Sequence, residues 1–483
     1  MALSDVKSLS LYEQLAAEIS QHIDAAVLNP GDQLPSVRRM SQQKKCSVTT
    51  VLQAYALLED RGRIEARPQS GYYVRQQSLP EYACVEPDAS AELLDPATVR
   101  NDDIVWKILQ DASNPHLLQF GAALPNPEMM PIKRMNRIIA NIARAGSVPL
   151  ESYGPPDGLK ELRTQVARRA YLTGVSASSE DVVITSGCME AIHLALRVVT
   201  HPGDLVAIET PCYFSILLQL EALGLRALEI PTHPRDGISL EALEFALENH
   251  PIRALLIVPN YSNPLGSLVP DERKRALVEL LARYEIPLIE DDIYGDLAHD
   301  GHRPVVCKSF DRNGLVMLCS SYSKDISAAL RVGWIIPGRF YNRLVKIRLS
   351  TNISTTILSQ MALAEYLETG GYDHHLRKIQ RAYAQKVDYM SRAVLNYFPE
   401  GTRVSTPQGG YVLWVQLPGE VDALELYRQA LSVGITIAPG HIFSTTPRYR
   451  SFIRLNAAYM DFKGERGIER LAGLVSHMTQ GNR

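Results

Sequence analysis

Five short apolar runs, at 182–185, 205–209, 254–258, 288–290 and 315–318, punctuate the middle of the chain, with helix-like segments between them. Runs this short read as strands. Helical crossovers between them make the sheet mainly parallel and the domain α/β. In such sheets ligands sit beyond the carboxyl ends of the strands, so the residues just after each run are the candidates for chemistry.

After the first run, Thr185-Ser186-Gly187-Cys188-Met189-Glu190-Ala191 opens a helix predicted to run through Val199, and a glycine turn at a helix N-terminus offers N–H groups to a phosphate. After the second, Glu209-Thr210-Pro211-Cys212-Tyr213 supplies a ring that can stack on a flat cofactor. After the third, Pro259-Asn260-Tyr261-Ser262-Asn263-Pro264-Leu265-Gly266 presents a side-chain amide. After the fourth comes Glu290-Asp291-Asp292-Ile293-Tyr294. The fifth leads into the stretch 319–334, where Lys324 lies between Ser321 and Ser323 on one side and Arg331, seven residues on, on the other. A lysine amine forms a Schiff base with an aldehyde where its surroundings favour the neutral form. Two serines and an arginine suit a phosphate, and an aldehyde carrying a phosphate suggests pyridoxal 5'-phosphate (PLP). A carboxylate beside a pyridine nitrogen keeps it protonated, so that the ring acts as an electron sink. Asp291 is preferred to Asp292 for this, because Asp-x-x-Tyr sets Tyr294 one helical turn on.

The 483 residues allow two to four domains, and 46% apolar with 21% charged content is ordinary for a globular protein. No apolar run is long enough to span a bilayer, and the start lacks a signal peptide's basic and apolar regions, so no membrane association and a cytoplasmic location are expected. The six cysteines are scattered without a Cys-x-x-Cys pair, so neither a metal site nor a disulfide framework is expected.

The net charge of −3 hides an asymmetry: residues 33–75 carry eight Lys/Arg against three acids, while residues 5–32 carry one lysine against five acids. A local basic patch on a non-basic protein fits a small nucleic-acid module. Leu11, Leu15, Ile19 and Ile23 recur every four residues as an amphipathic helix ending before Asn29-Pro30-Gly31-Asp32. Ser36 is suited to cap a second helix over 37–43. Ser47 caps a third, in which Val51, Tyr55 and Leu58 share a face and which closes at Gly62. Residues 63–67 and 72–74 read as strands around Pro68-Gln69-Ser70-Gly71. Three helices and a hairpin make a winged helix-turn-helix.

These residues carry a resemblance. Leu11-Tyr12-x-Gln14, Pro30-Gly31-x-x-Leu34-Pro35-Ser36-x-Arg38, Thr49-Thr50-Val51, Ala54-Tyr55-x-x-Leu58-Glu59 and Gly62-x-Ile64 resemble the GntR family of bacterial transcription regulators. The resemblance implies contact with double-stranded DNA through Arg38, Ser47, Thr49 and Thr50, with Gly71 at the wing tip. Val48 stands where family members often have arginine. Residues 76–100, with three prolines and five acids, read as a semi-rigid linker.

The motifs after the five runs, taken in order and together with Tyr153-Gly154-x-x-x-Gly158-Leu159-x-x-Leu162-Arg163, resemble fold-type I PLP enzymes, specifically aminotransferases, over roughly 105–475. The resemblance implies that Lys324 forms the Schiff base and Asp291 pairs with the ring nitrogen. Asn263 and Tyr294 would bond the ring oxygen, and Tyr213 would stack on the ring. Gly187, Cys188, Met189, Ser321, Ser323 and Arg331 would line the phosphate cup, and Tyr153 would reach the phosphate of a neighbouring subunit, implying a homodimer. Two departures stand out: Cys188-Met189 replaces a small or polar pair, and Ser327-Ala328-Ala329 lacks the usual Pro-Gly. Beyond helical patterns over 355–368 and 374–397, Pro407-x-Gly409-Gly410-Tyr411-x-x-Trp414 and Ile437-Ala438-Pro439-Gly440-x-x-Phe443 lead to Ile453-Arg454-Leu455-Asn456. By the same resemblance, Arg454 grips a ligand carboxylate in the bidentate geometry that a guanidinium favours.

Joined, the two parts resemble the MocR subfamily of GntR-type regulators. The expected division is a DNA-binding domain over 1–75, the linker, and an aminotransferase-like domain over 101–483, its large part about 145–350 and its small part about 351–483 with 101–144. The expected function is a transcription regulator that senses an amino compound, or PLP itself, with Lys324 and its neighbours serving detection more than turnover. The alternative is a working aminotransferase with an accessory DNA-binding module, since the residues for transamination are present.

Overall fold

The computed structural model describes residues 10–24, 27–28, 31–61, 63–67, 70–74, 87, 95–99, 104–419 and 421–481. The chain divides into two units, one holding the N-terminal elements together with Met460–Ile468 and the other the rest.

In the first unit, helices Leu11–Asp24, Val37–Lys44 and Val48–Asp60 precede strands Ile64–Arg67 and Gly71–Val74. The strands pair antiparallel with Ile64 opposite Val74. The Ser36 hydroxyl accepts from the Arg39 N–H and the Ser47 hydroxyl from the Thr50 N–H at 3.0 Å, so both expected caps satisfy helix-end donors. Leu15, Ile19, Ile23, Val51, Tyr55 and Leu58 are buried together with Ile64, Val74 and Phe462. The Tyr55 hydroxyl donates to the Pro35 carbonyl at 2.8 Å, tying the third helix to the loop before the second. Gly62, Pro68, Gln69 and nearly all of the expected linker lie outside the described residues.

The second unit is built on a nine-stranded sheet. Its path runs Ala97–Thr98, Arg226–His233, Leu205–Thr210, Ile252–Ile257, Leu288–Asp291, Val316–Ser321, Gly333–Ile336, Val183–Thr185, with Gly237–Ile238 paired beside Arg226–His233. The five neighbours from Arg226–His233 to Val316–Ser321 are mutually parallel. Gly333–Ile336 is antiparallel to both of its neighbours, so Val183–Thr185 points the same way as the parallel set. All five strands expected from the apolar runs therefore end on one edge. Their side chains are almost continuously buried, as in a sheet covered on both faces. Helices Cys188–Val199, Phe214–Ala222, Leu240–Asn249 and Asp271–Arg283 provide the crossovers.

A four-stranded antiparallel sheet orders Arg403–Val404, Val412–Gln416, Phe452–Asn456 and Ala438–Pro439, and it places Arg454 on an interior strand opposite Trp414. Helices Ile357–Glu368 and Gly371–Tyr397 follow the expected patterns. Leu118–Gln119 pairs with Ile435–Thr436 and carries the chain into Gly121–Leu124. One expectation fails: no helical turn links Asp291 to Tyr294. Asp291 ends its strand, and Tyr294 only precedes the 3-10 turn Gly295–Leu297.

Candidate functional site

The residues that follow the strand ends meet around Lys324. Its ammonium group donates to the Ala123 carbonyl at 2.7 Å and lies 5.7 Å from the centre of the Tyr294 ring. Burial, reinforced by Arg454, brings its pKa down to about 8, with Asp291 opposing the shift. Asp291 is buried, accepts from the Cys188 thiol at 3.2 Å, and is pushed up to about 6 by burial. Asp292, next along, points away: its carboxylate pairs with Arg303 and accepts from Asn260 Nδ2 at 2.8 Å. Asp292 lies just past the strand end with its carboxylate held by these partners, which leaves Asp291 for the site.

Arg454 is fully buried and donates to Asn263 Oδ1 at 3.2 Å and to the Gly121 carbonyl, while its Nε has no partner. Asn263 also bonds Tyr294, whose phenol is raised far above its usual pKa by burial. Tyr213 is half-buried, with its ring 4.7 Å from that of Phe214.

Beside Lys324, Gly187 precedes helix Cys188–Val199 with φ +92, and an added Cβ there would lie 2.4 Å from Arg331 Nη2. Only glycine leaves that space. Arg331, itself in the left-handed region, donates to the Ser186 carbonyl at 2.9 Å. The Ser186 N–H is held by Glu190, which also accepts from Asn352 at 3.1 Å. Ser321 Oγ accepts from the Ser323 N–H at 3.3 Å, whereas Ser323 Oγ is buried without a partner. The Met189 carbonyl is taken by Gln219 at 2.7 Å. Tyr153 does not join the cluster; it is 79% exposed. Sequence reasoning missed Gly121–Ala123, whose carbonyls face Arg454 and Lys324, because backbone acceptors leave no side-chain signature. It also missed Tyr411, whose hydroxyl donates to the Ala123 carbonyl at 3.3 Å.

Burial raises Glu290 and Asp325 to about 7 and Glu209 to about 8, in addition to Asp291. An acid whose folded pKa is raised stabilises the fold fully below its unfolded pKa and loses that contribution as pH rises through the folded value. Melting temperature is therefore expected to fall between pH 6.5 and 8 in protein without ligand. A rise over that interval in a thermal melt would contradict these burials.

On the first unit, Arg38, Ser47, Thr49 and Gly71 are exposed and Thr50 is half-buried. The Ser47 and Thr50 hydroxyls lie 2.8 Å apart. The wing tip is fixed from Gln33, whose amide donates to the Ser70 carbonyl at 2.6 Å.

A buried lysine with an acid, an amide and an arginine at the carboxyl edge of an α/β sheet defines a fold-type I aminotransferase-like domain, here in one chain with a winged helix. Family models agree: residues 130–471 match aminotransferase class I and II, and residues 11–74 match the bacterial regulatory proteins of the gntR family. The chain belongs to the MocR-type transcription regulators, which join these two parts. YdcR of Escherichia coli (strain K12), described as an uncharacterised HTH-type transcriptional regulator, is 37% identical over 96% of this chain and 98% of its own. YjiR of the same strain, described in the same way, is 36% identical over 93% and 95%. Among solved structures, the α-aminoadipate aminotransferase LysN of Thermus thermophilus, complexed with N-(5'-phosphopyridoxyl)-L-leucine, superposes with a TM-score of 0.73. It is 28% identical and covers 79% of this chain and 96% of its own.

Proposed function

We propose that this regulator takes PLP on Lys324 and reads an amino compound through Arg454, and that the bound state of this site alters how the winged helix holds DNA. The observation that carries the proposal is the convergence of Lys324, Asp291, Asn263 and Arg454 at one edge of the sheet. The residues fit the cofactor on their own chemistry. Ser323 Oγ is a buried hydroxyl still lacking a partner, and Gly187 leaves open a cradle that any Cβ would fill. Ser321, Ser323, Arg331 and the N–H groups of Gly187, Cys188 and Met189 would hold the phosphate. Asp291 would stand at the ring nitrogen, Asn263 and Tyr294 at the ring oxygen, and Tyr213 against the ring face. Bound there, PLP supplies an aldehyde for amines and an electron-withdrawing ring.

What the chain contributes follows from its own groups. Lys324, with its pKa near 8, holds an appreciable neutral fraction at pH 8, where an ordinary lysine stays protonated. The rate at which it captures the aldehyde is expected to rise with pH and level off slightly above 8. A rate still climbing at pH 10 would contradict the burial of this amine. Arg454, dry and with one nitrogen uncommitted, is positioned to exchange the Gly121 carbonyl for a carboxylate. Arg454→Ala is expected to weaken binding of amino acids to the loaded protein roughly tenfold or more, the scale of a desolvated charge-assisted pair. Amines lacking a carboxylate should be unaffected. Equal losses for both classes in a spectral titration would remove Arg454 from this role.

A second copy of the chain is the proposed partner. Leu150 at 90% and Tyr153 at 79% are exposed, as are Leu349 and Ile353. The Tyr153–Gly154 loop lies against the residues just after Ile353, since a Cβ on Gly154 would lie 3.8 Å from Ser354 Cβ and 3.0 Å from Ile357. An exposed apolar group of this kind marks an interaction surface. No helix among the described residues is long and apolar enough to cross a membrane, and a DNA-binding role fits a cytoplasmic location.

A further inference from the structure

Resting on the DNA-binding reading above, we propose that Val48 and Leu52 are specificity-determining residues that read the C5-methyl groups of thymines in the major groove. The third helix of the winged unit, Val48–Asp60, turns Val51, Ala54, Tyr55 and Leu58 into the core. Along the flank of that core stripe it carries Val48 at 46% exposure and Leu52 at 45%. Four residues apart, they adjoin on the helix surface and make one apolar ridge beginning at the first helical residue.

Two of the polar groups around that ridge are already engaged within the helix. The Ser47 hydroxyl accepts from the Thr50 N–H at 3.0 Å and lies 2.8 Å from the Thr50 hydroxyl, so both are engaged in capping the helix. Thr49 and Gln53 remain exposed beside the ridge. Charge around the ridge identifies its occupant. Arg38, Arg39, Lys44 and Lys45 are exposed on or just after the preceding helix, and no acid lies in the first turn of either helix. A protein partner for two aliphatic side chains would not need that cationic frame, whereas a phosphate backbone does. In the major groove the feature that an aliphatic side chain recognises is the thymine methyl. The helix therefore discriminates by shape and dewetting at these positions, where an arginine would instead select guanine.

The test uses the full chain. Duplexes are selected from a random-sequence pool at fixed moderate salt, and the winning duplex is remade with uracil in place of each thymine in turn, which removes only the methyl group. Wild type is expected to lose about fourfold in affinity at one or two thymines per half-site, the value of one buried methyl. Val48→Ala and Leu52→Ala should each bind the thymine and uracil forms equally at one of those positions, because the coupled partner is gone. Both substitutions are on the exposed face, so unchanged melting temperatures will accompany them. A selected duplex indifferent to every uracil replacement, or variants that keep the wild-type methyl dependence, would overturn the inference while leaving DNA binding intact. Failure to enrich any duplex would overturn the regulator reading and this inference with it.

Discussion

Wild-type protein, mixed with equimolar PLP, reduced with borohydride and digested, is expected to carry the cofactor covalently on the peptide that contains Lys324, and Lys324→Ala to lose that labelled peptide. The loss at that position should be complete because no other lysine acts on the site among the described residues. The neighbouring cations that act on Lys324 are Arg454 and Arg331, and a guanidinium does not act as an amine nucleophile at neutral pH. The phosphate contacts should survive, so the variant still binds PLP weakly and reversibly. Undiminished covalent retention would place the reactive amine elsewhere and separate the phosphate cup from its proposed aldehyde end. Melting temperature is the control, since Lys324 contributes one hydrogen bond to the Ala123 carbonyl that the variant loses.

The second large effect is expected at Arg38. It is exposed on the first turn of helix Val37–Lys44, whose N-terminus Ser36 caps. If its guanidinium reaches a base edge, Arg38→Ala should cost about 1–3 kcal/mol on the selected duplex and relax specificity at one position. If it reaches a phosphate, affinity should fall across all sequences and the salt slope should shrink by about one. A titration at several salt concentrations separates the two. Binding unchanged in both affinity and slope would remove Arg38 from the interface.

The parts of this architecture that were legible in the sequence share a physical cause. Gly187, Tyr213, Asn263, Asp291 and Lys324 each follow an apolar run closely, and a parallel sheet brings such positions to one edge whatever the strand order. The winged helix was legible because Leu15, Ile19 and Ile23 on one helix and Val51, Tyr55 and Leu58 on another face a single small core. The preference for Asp291 over Asp292 rested on a helical spacing that is not there. The actual reason is that Arg303 and Asn260 take the other carboxylate just past the strand end. Arg303 lies eleven residues on, and nothing in its local sequence marks it as that partner. Strands Arg226–His233 and Gly333–Ile336 were not anticipated. The first carries Glu229, whose charge is absorbed by hydrogen bonds from Thr210, Ser444 and Thr445. The second begins two residues after Arg331. Phe462 joins the winged-helix core from the far end of the sequence, a contact that local periodicity cannot reveal. Tyr153 remains outside its own chain's cluster.

The account turns on one dependence, that of DNA binding on the state of the lysine site. The most direct measurement is a footprinting titration of full-length protein on the selected duplex at fixed salt. It would be run without ligand, with PLP, and with PLP plus a panel of amino acids, in parallel for wild type and Arg454→Ala. The account predicts that the affinity or the protected boundary changes when wild type receives PLP and an amino acid, and that Arg454→Ala responds to PLP alone. Protection that is identical in every condition, with steady conversion of the amino acid to its keto acid in the same tubes, would contradict it. The aminotransferase would then be the protein's occupation and the winged helix its accessory.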